Sequence, residues 1–191
     1  MTRGEISQTR ARILAAAEDL VIREGVSRLT LDSAAQEAGV SKGGILYHFP
    51  RRAALVSAMV ERFVVSFEAD LVARRAYSRE PGAFTRAYLE ATLDPGEEPS
   101  DPREVRLGGA LLAGVTADVE VLKPMRQRFE AWQLSIESDG LPPEVATVVR
   151  LAADGLWLAD LFELAPLAGE RRAAVRRQLL DLVERALQPE A

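Results

Sequence analysis

The 191-residue chain has no cysteine and one histidine, His48, which excludes a disulfide framework, a thiol redox sensor and the usual Cys/His zinc sites. No Ser/His/Asp set can be assembled around that single imidazole, and no phosphate-cradling glycine loop follows a strand pattern. Carboxylates such as Asp118, Glu120 and Glu163 have the spacing of solvated helix faces, so the composition argues against an enzyme and against a bound cofactor or metal. Long apolar runs are absent too. No stretch reaches the length of a membrane span, and the polar start MTRGEISQTRAR has no signal-type apolar run behind it, which predicts a cytoplasmic protein with no membrane partner. Alternation with period two is missing, and nearly every segment repeats with period 3.6, so the predicted class is all-α.

What is present is uneven in charge. The net charge of -5 speaks against nucleic acid at first sight. Residues 1–52, however, hold eight Arg/Lys against six Asp/Glu, and the remainder 16 against 23, a mildly basic head on an acidic body.

Helical patterns run over 8–24, 30–38, 41–49 and 51–76, then over 81–93, 103–117, 119–138, 143–164 and 169–187. The first has its apolar stripe at Ile13, Ala17, Leu20 and Val21 and closes at Gly25. The acidic DPGEEPSDP at 94–102 is the expected mobile loop.

The stretch TLDSAAQEAGVSKGGILYHFP, 30–50, fits a helix-turn-helix. Ala35 is the small residue where two helices cross, Gly39 makes the tight turn, and Ala34, Ala38, Val40 and Ile45 lie at core-facing spacings. Thr30 and Ser41 are N-caps. Glycine costs a helix about 1 kcal/mol relative to alanine, so Gly43 and Gly44 at the start of the second helix need a return. Close approach to a major groove supplies one, with Lys42 meeting base edges and phosphates. Tyr47, His48, Arg51 and Arg52 follow as donors suited to phosphate oxygens.

On these residues the N-terminal segment, together with the ILxAAxxLxxxxG-type helix before it, resembles the DNA-binding domain of the TetR family of bacterial regulators. The resemblance covers about the first 60 residues. It implies a three-helix DNA-binding domain at 1–50 and a six-helix ligand-binding and dimerisation domain at 51–191, working as a homodimer on double-stranded operator DNA. By position it assigns phosphate contacts to Thr30 and Tyr47, base-edge positions to Lys42 and Gly44, and a further backbone contact to His48. Where the family often carries a phosphate-gripping lysine, this chain has Ala53, and Arg51 and Arg52 are the available substitutes. The ligand does not carry over.

Beyond residue 51, aromatic residues at helical spacing are core by default, and the resemblance makes Phe67, Tyr88, Met125, Phe129 and Trp132 candidates to line the site of a small, largely apolar effector. On 143–164 the polar residues Thr147, Arg150 and Asp154 follow one narrow stripe and apolar residues cover most of the rest, so this helix is expected to be buried on two sides. Val148, Ala152, Gly155 and Ala159 there, with Val175, Leu179, Leu182, Val183 and Ala186 on the last helix, are the expected dimer seam. The expected function is a ligand-responsive repressor. The alternatives are a DNA-binding regulator without a ligand and a helical interaction module without DNA.

Overall fold

The computed structural model describes residues 3–76, 78–93, 102–114 and 119–188. Nine α-helices and no strand occur among them: α1 Arg3–Glu24, α2 Leu31–Glu37, α3 Lys42–His48, α4 Arg52–Arg75, α5 Ala83–Thr92, α6 Pro102–Gly114, α7 Lys123–Glu137, α8 Pro143–Leu161 and α9 Gly169–Ala186. Residues 94–101 of the expected mobile loop lie outside the described residues, as does the expected extension of α6 over 115–117. None of the described helices is long and apolar enough to cross a membrane. Two compact units are formed, residues 1–64 with 106–126 and residues 65–105 with 127–191. This division falls inside α4, whereas the expected boundary was 50/51. The reason is that Leu55, Val56, Met59 and Val60 on the first turns of α4 are buried in the first unit, and Arg62 reaches the buried Glu18 of α1 at 3.2 Å.

In the first unit α1 buries Ile13, Leu14, Ala16, Ala17, Leu20 and Val21, the predicted stripe widened by two residues. Gly25, at φ +83°, lets the chain leave α1 while its N–H still donates to Val21 O at 2.9 Å. Thr30 caps α2 in a reciprocal arrangement: Ser33 N donates to Thr30 Oγ1 at 2.9 Å, and Thr30 N donates to Ser33 Oγ at 3.0 Å. Ala34, Ala35, Ala38, Ile45 and Phe49 complete the core between α1, α2 and α3. Arg52 Nε donates to Leu29 O at 2.8 Å and its Nη2 to Val26 O, closing the turn ahead of α2.

The second unit is organised around α5, whose Ala83, Phe84, Thr85, Ala87, Tyr88 and Leu89 are all buried. A helix buried on so many faces still exposes unpaired N–H groups at its start, and here its N-cap is Gly82, which has no side chain to offer. Asp139, more than fifty residues on, supplies the cap: Phe84 N and Thr85 N donate to its two carboxylate oxygens at 3.1 and 2.8 Å, and Gly82 N to its backbone oxygen at 2.7 Å. Gly140, at φ +80°, permits the close approach, because a Cβ there would stand 2.9 Å from Pro81 Cβ. Ala146, Val149 and Ala153 of α8 pack inward, as do Leu179 and Val183 of α9. Arg172 of α9 and Asp160 of α8 form an ion pair of 2.8 Å that is almost wholly buried.

Asp139→Ala should therefore lower the stability of the protein by about 2 kcal/mol, the upper end for loss of a helix cap, with Asp139→Asn recovering part of it. Urea unfolding reads this directly; an unchanged midpoint in the alanine variant would show that α5 does not depend on the cap.

Candidate nucleic-acid interface and effector site

The turn between α2 and α3 places its glycine, Gly39, at φ +62°. Ser41 then caps α3, accepting from Gly44 N at 3.1 Å. With Ile45 and Phe49 anchored in the core, the opposite side of α3 faces outward: Lys42, Gly43, Leu46 and Tyr47 are exposed, Tyr47 to 70%. His48 is half-buried, its ring 5.1 Å from that of Tyr47 in an edge-on contact. Thr30, Ser41 and Arg51 are exposed beside this face.

The two glycines of α3 have different surroundings. A Cβ on Gly44 would lie 3.3 Å from Ser41 Oγ and 3.7 Å from Val40 Cβ, so Gly44 is small for the sake of the cap and turn. A Cβ on Gly43 would meet nothing within 4 Å, and no positive φ requires glycine there. Among the described residues nothing makes use of the missing side chain, so its helix penalty of about 1 kcal/mol has no return within them.

Lys42 Nζ stands 3.2 Å from Asp32 Oδ1, both side chains being about three-quarters exposed. A pair this open is worth little, so Lys42 remains available to a phosphate or base edge. Arg52 differs from the expectation: two of its donors go to the carbonyls of Leu29 and Val26, a bracing role within the protein, which leaves Arg51 as the open cation ahead of Ala53. Leu46 was missed by the sequence reading. It lies three residues after Gly43 on the same face and could have been found by extending that helical spacing.

In the second unit Trp132 is the hub of a ring cluster, with centroids 5.0 Å from Phe67, 5.1 Å from Phe129 and 5.9 Å from Tyr88. Tyr88 and Trp132 are buried, while Phe67 and Phe129 are half-exposed. Met125, expected in the same stripe, belongs to the first unit and is half-buried there. The rings touch one another, so a ligand would have to lie against the cluster or displace a ring. Beside them runs a polar band. Tyr88 Oη donates to Asp154 Oδ1 at 2.7 Å, and Arg150 Nη1 donates to Asp154 Oδ2 at 2.8 Å. Burial, reinforced by the Asp154 charge, holds the Tyr88 hydroxyl far above its ordinary pKa, so it stays a donor. Burial also raises the pKa of Asp154, against the opposing pull of Tyr88 and Arg150.

The polar stripe of α8 thus faces inward, toward α5 and α7, and its outward face is apolar. Val148, Leu151, Gly155, Leu158 and Phe162 recur at alternating intervals of three and four along it, and Val148 and Leu151 are each 54% exposed. Ala152 and Ala159 are half-buried at its margin. On α9, Val175, Leu182 and Ala186 are half-buried. Leu179 and Val183 require a correction to the expected seam. Val183 has no exposed surface, and its Cγ1 would stand 3.3 Å from a Cβ built on Gly82, so both residues belong to the protomer's own core.

An outward-facing α3 behind a glycine turn, braced by α1 and α4, defines a helix-turn-helix protein with a separate helical unit. The chain belongs to the TetR family: residues 82–184 match the model for the tetracyclin repressor-like C-terminal domain, and residues 13–59 that of the bacterial regulatory proteins of the tetR family. The HTH-type transcriptional regulator TtgR of Pseudomonas putida is 43% identical over 60 residues, 31% of this chain and 29% of that protein. The chain therefore matches less than a third of the length of this curated relative. Among solved structures, SCO7518 of Streptomyces coelicolor A3(2) superposes with a TM-score of 0.73 at 21% identity, over 92% of this chain and 98% of that one. A Saccharomonospora viridis protein in complex with choline superposes with a TM-score of 0.68 at 22% identity, over 93% and 96%. At these identities the likeness is one of fold.

Gly43→Ala should raise the stability of the free protein by about 0.5–1 kcal/mol while weakening its binding to DNA. Thermal unfolding and operator titration on the same sample check both. A variant that is more stable and binds unchanged would show that Gly43 has no part in docking.

Proposed function

We propose that this chain is a transcriptional repressor that binds a two-fold symmetric operator as a homodimer and is released by a small-molecule effector. The observation that carries the DNA reading is the outer face of α3, where a glycine with open space around it lies between Lys42 and the exposed Leu46 and Tyr47. Backbone at Gly43 can approach a groove floor, Leu46 suits a thymine methyl, and Tyr47 and Arg51 flank as phosphate donors. Lys42→Ala and Tyr47→Phe should weaken operator binding without unfolding the protein, each lost phosphate contact lowering the slope of log affinity against log salt by about 0.9. Unchanged affinity and slope in both variants would count against this face.

The dimer reading rests on α8. An apolar stripe at alternating three- and four-residue intervals suits packing of a second helix, and the same stripe on a second copy is the self-complementary partner of a two-fold contact. The half-buried Val175, Leu182 and Ala186 extend it onto α9, which supports a four-helix bundle. Such an axis repeats α3 for successive major grooves, about 34 Å or a multiple apart.

Effector control is supported by continuity of one helix. α4 begins among the residues that hold α3, and further along it Phe67 touches Trp132. A ligand that shifts the ring cluster moves α4, and a differential affinity of about 1–3 kcal/mol suffices for a typical allosteric coupling. The choline bound by the Saccharomonospora viridis protein is in keeping with small-molecule binding on this fold. The mutual contact of the four rings favours a second reading, a regulator that works without an effector; release of operator by a small molecule separates the two.

Leu151→Glu and Leu158→Glu should dissociate the dimer and abolish operator binding while the protomer stays folded, since both side chains already face outward. Each carboxylate buried without a partner is expected to cost about 3 kcal/mol. Sedimentation gives the mass: variants that remain dimers of unchanged affinity would place the interface elsewhere.

A further inference from the structure

The polar band between α5, α7 and α8 contains groups of two kinds. Asp154 accepts on both oxygens, from Tyr88 Oη and from Arg150 Nη1, and the guanidinium balances its charge. Trp132 Nε1 and Arg150 Nε, by contrast, are buried donors with no acceptor among the described residues. Neither can be silenced, because an indole N–H is donor-only and a guanidinium keeps its protons. Gln133, next to Trp132, gives its Nε2 to Glu137 Oε1 at 2.7 Å and to Thr147 Oγ1 at 2.9 Å. The first of these partners accepts only, which fixes the sense of the amide and leaves Gln133 Oε1 buried and unmatched. A protein interior that leaves such groups unmade loses stability at each, and here they lie in one band beside a cluster of aromatic rings.

We propose that this band recognises the polar head of the effector, and that the effector is a ring-bearing molecule with a carbonyl or carboxylate oxygen that accepts from Trp132 Nε1, not an organic cation. The proposal rests on the ligand-responsive reading above and names the ligand class for it. The ring of such a ligand packs on the half-exposed Phe67 and Phe129, and its oxygen takes the indole proton. An ammonium head has no lone pair to give either donor, and the charge of Asp154 is already balanced by Arg150.

The experiment uses the full-length protein and three probes that share one ring system, 2-naphthoate, 2-naphthamide and 2-naphthylmethylammonium, titrated by calorimetry and, in parallel, against a preformed operator complex. Naphthoate and naphthamide should bind at least about tenfold more tightly than the ammonium, the worth of one buried hydrogen bond. Trp132→Phe should weaken the first two by about tenfold and leave the third unchanged. The ranking in the unmodified protein carries the test by itself if that variant does not fold. Equal or tighter binding of the ammonium, a Trp132→Phe variant with the ranking intact, or no binding of any probe at millimolar concentration would overturn the assignment. Cation-led binding that releases operator overturns it and leaves the ligand-responsive reading standing. Acceptor-led binding that depends on Trp132 but releases nothing does the reverse.

Discussion

The hydrogen bond from Tyr88 Oη to one oxygen of Asp154, with Arg150 on the other, sets the rotation of α8 about its own axis, and most of the second unit follows from that rotation. A carboxylate taken from water is tolerable only when its lone pairs are filled, so Asp154 holds α8 in the register where it meets Tyr88. Ala146, Val149 and Ala153 are then turned onto α5, small enough to let the two helices close. The circumference left over is the outer one, and it is apolar. One partly buried triad thus produces both a polar inner lining next to the rings and a greasy outer stripe.

How much of this was readable beforehand differs between the two units for a physical reason. In the first, the devices are local: Thr30 with Ser33, Ser41 with Gly44 and Gly25 after α1 are each determined within a few residues, and the helices fall within two or three residues of the expected bounds apart from α1, which begins at Arg3. The exposed face of α3 was legible through the same spacing that marks its buried face. In the second unit the helices were equally plain, but the facing of α8 was not. A stripe of Thr147, Arg150 and Asp154 looks the same in a string of letters whether it meets water or a tyrosine on another helix. The periodicity of α9 misled in the same way. Leu179 and Val183 read as members of an outer seam, whereas both are buried in the protomer, and the arginine at 172, which composition would place in solvent, is buried on Asp160.

The basic residues of the N-terminal segment also divide by use more sharply than their count suggests. Arg62 is tied to Glu18, Arg52 to backbone carbonyls and Lys42 loosely to Asp32, while Arg10 lies over the Phe49 ring. Part of the positive charge of this segment is therefore engaged inside the protein, Arg52 most of all. The exposed face of α3 is a short surface whose central member, Gly43, contributes no side chain at all.

The long-range cap on α5 has a consequence for synthesis. Translation at about 5–20 residues per second delivers Asp139 roughly 3 to 11 s after the first turn of α5, and α8 and α9 later still. During that interval Phe84, Tyr88 and Leu89 belong to a helix without its N-terminal partner and without the surfaces that cover it. The caps of α2 and α3 and the residues Ala34, Ala35, Ala38, Ile45 and Phe49 all lie ahead of Val64 and are in place early, while residues 106–126 join the same unit later. The nascent chain thus carries an α3 already capped, trailed by an apolar helix that waits for its cover, and that waiting helix is where a chaperone has most to hold.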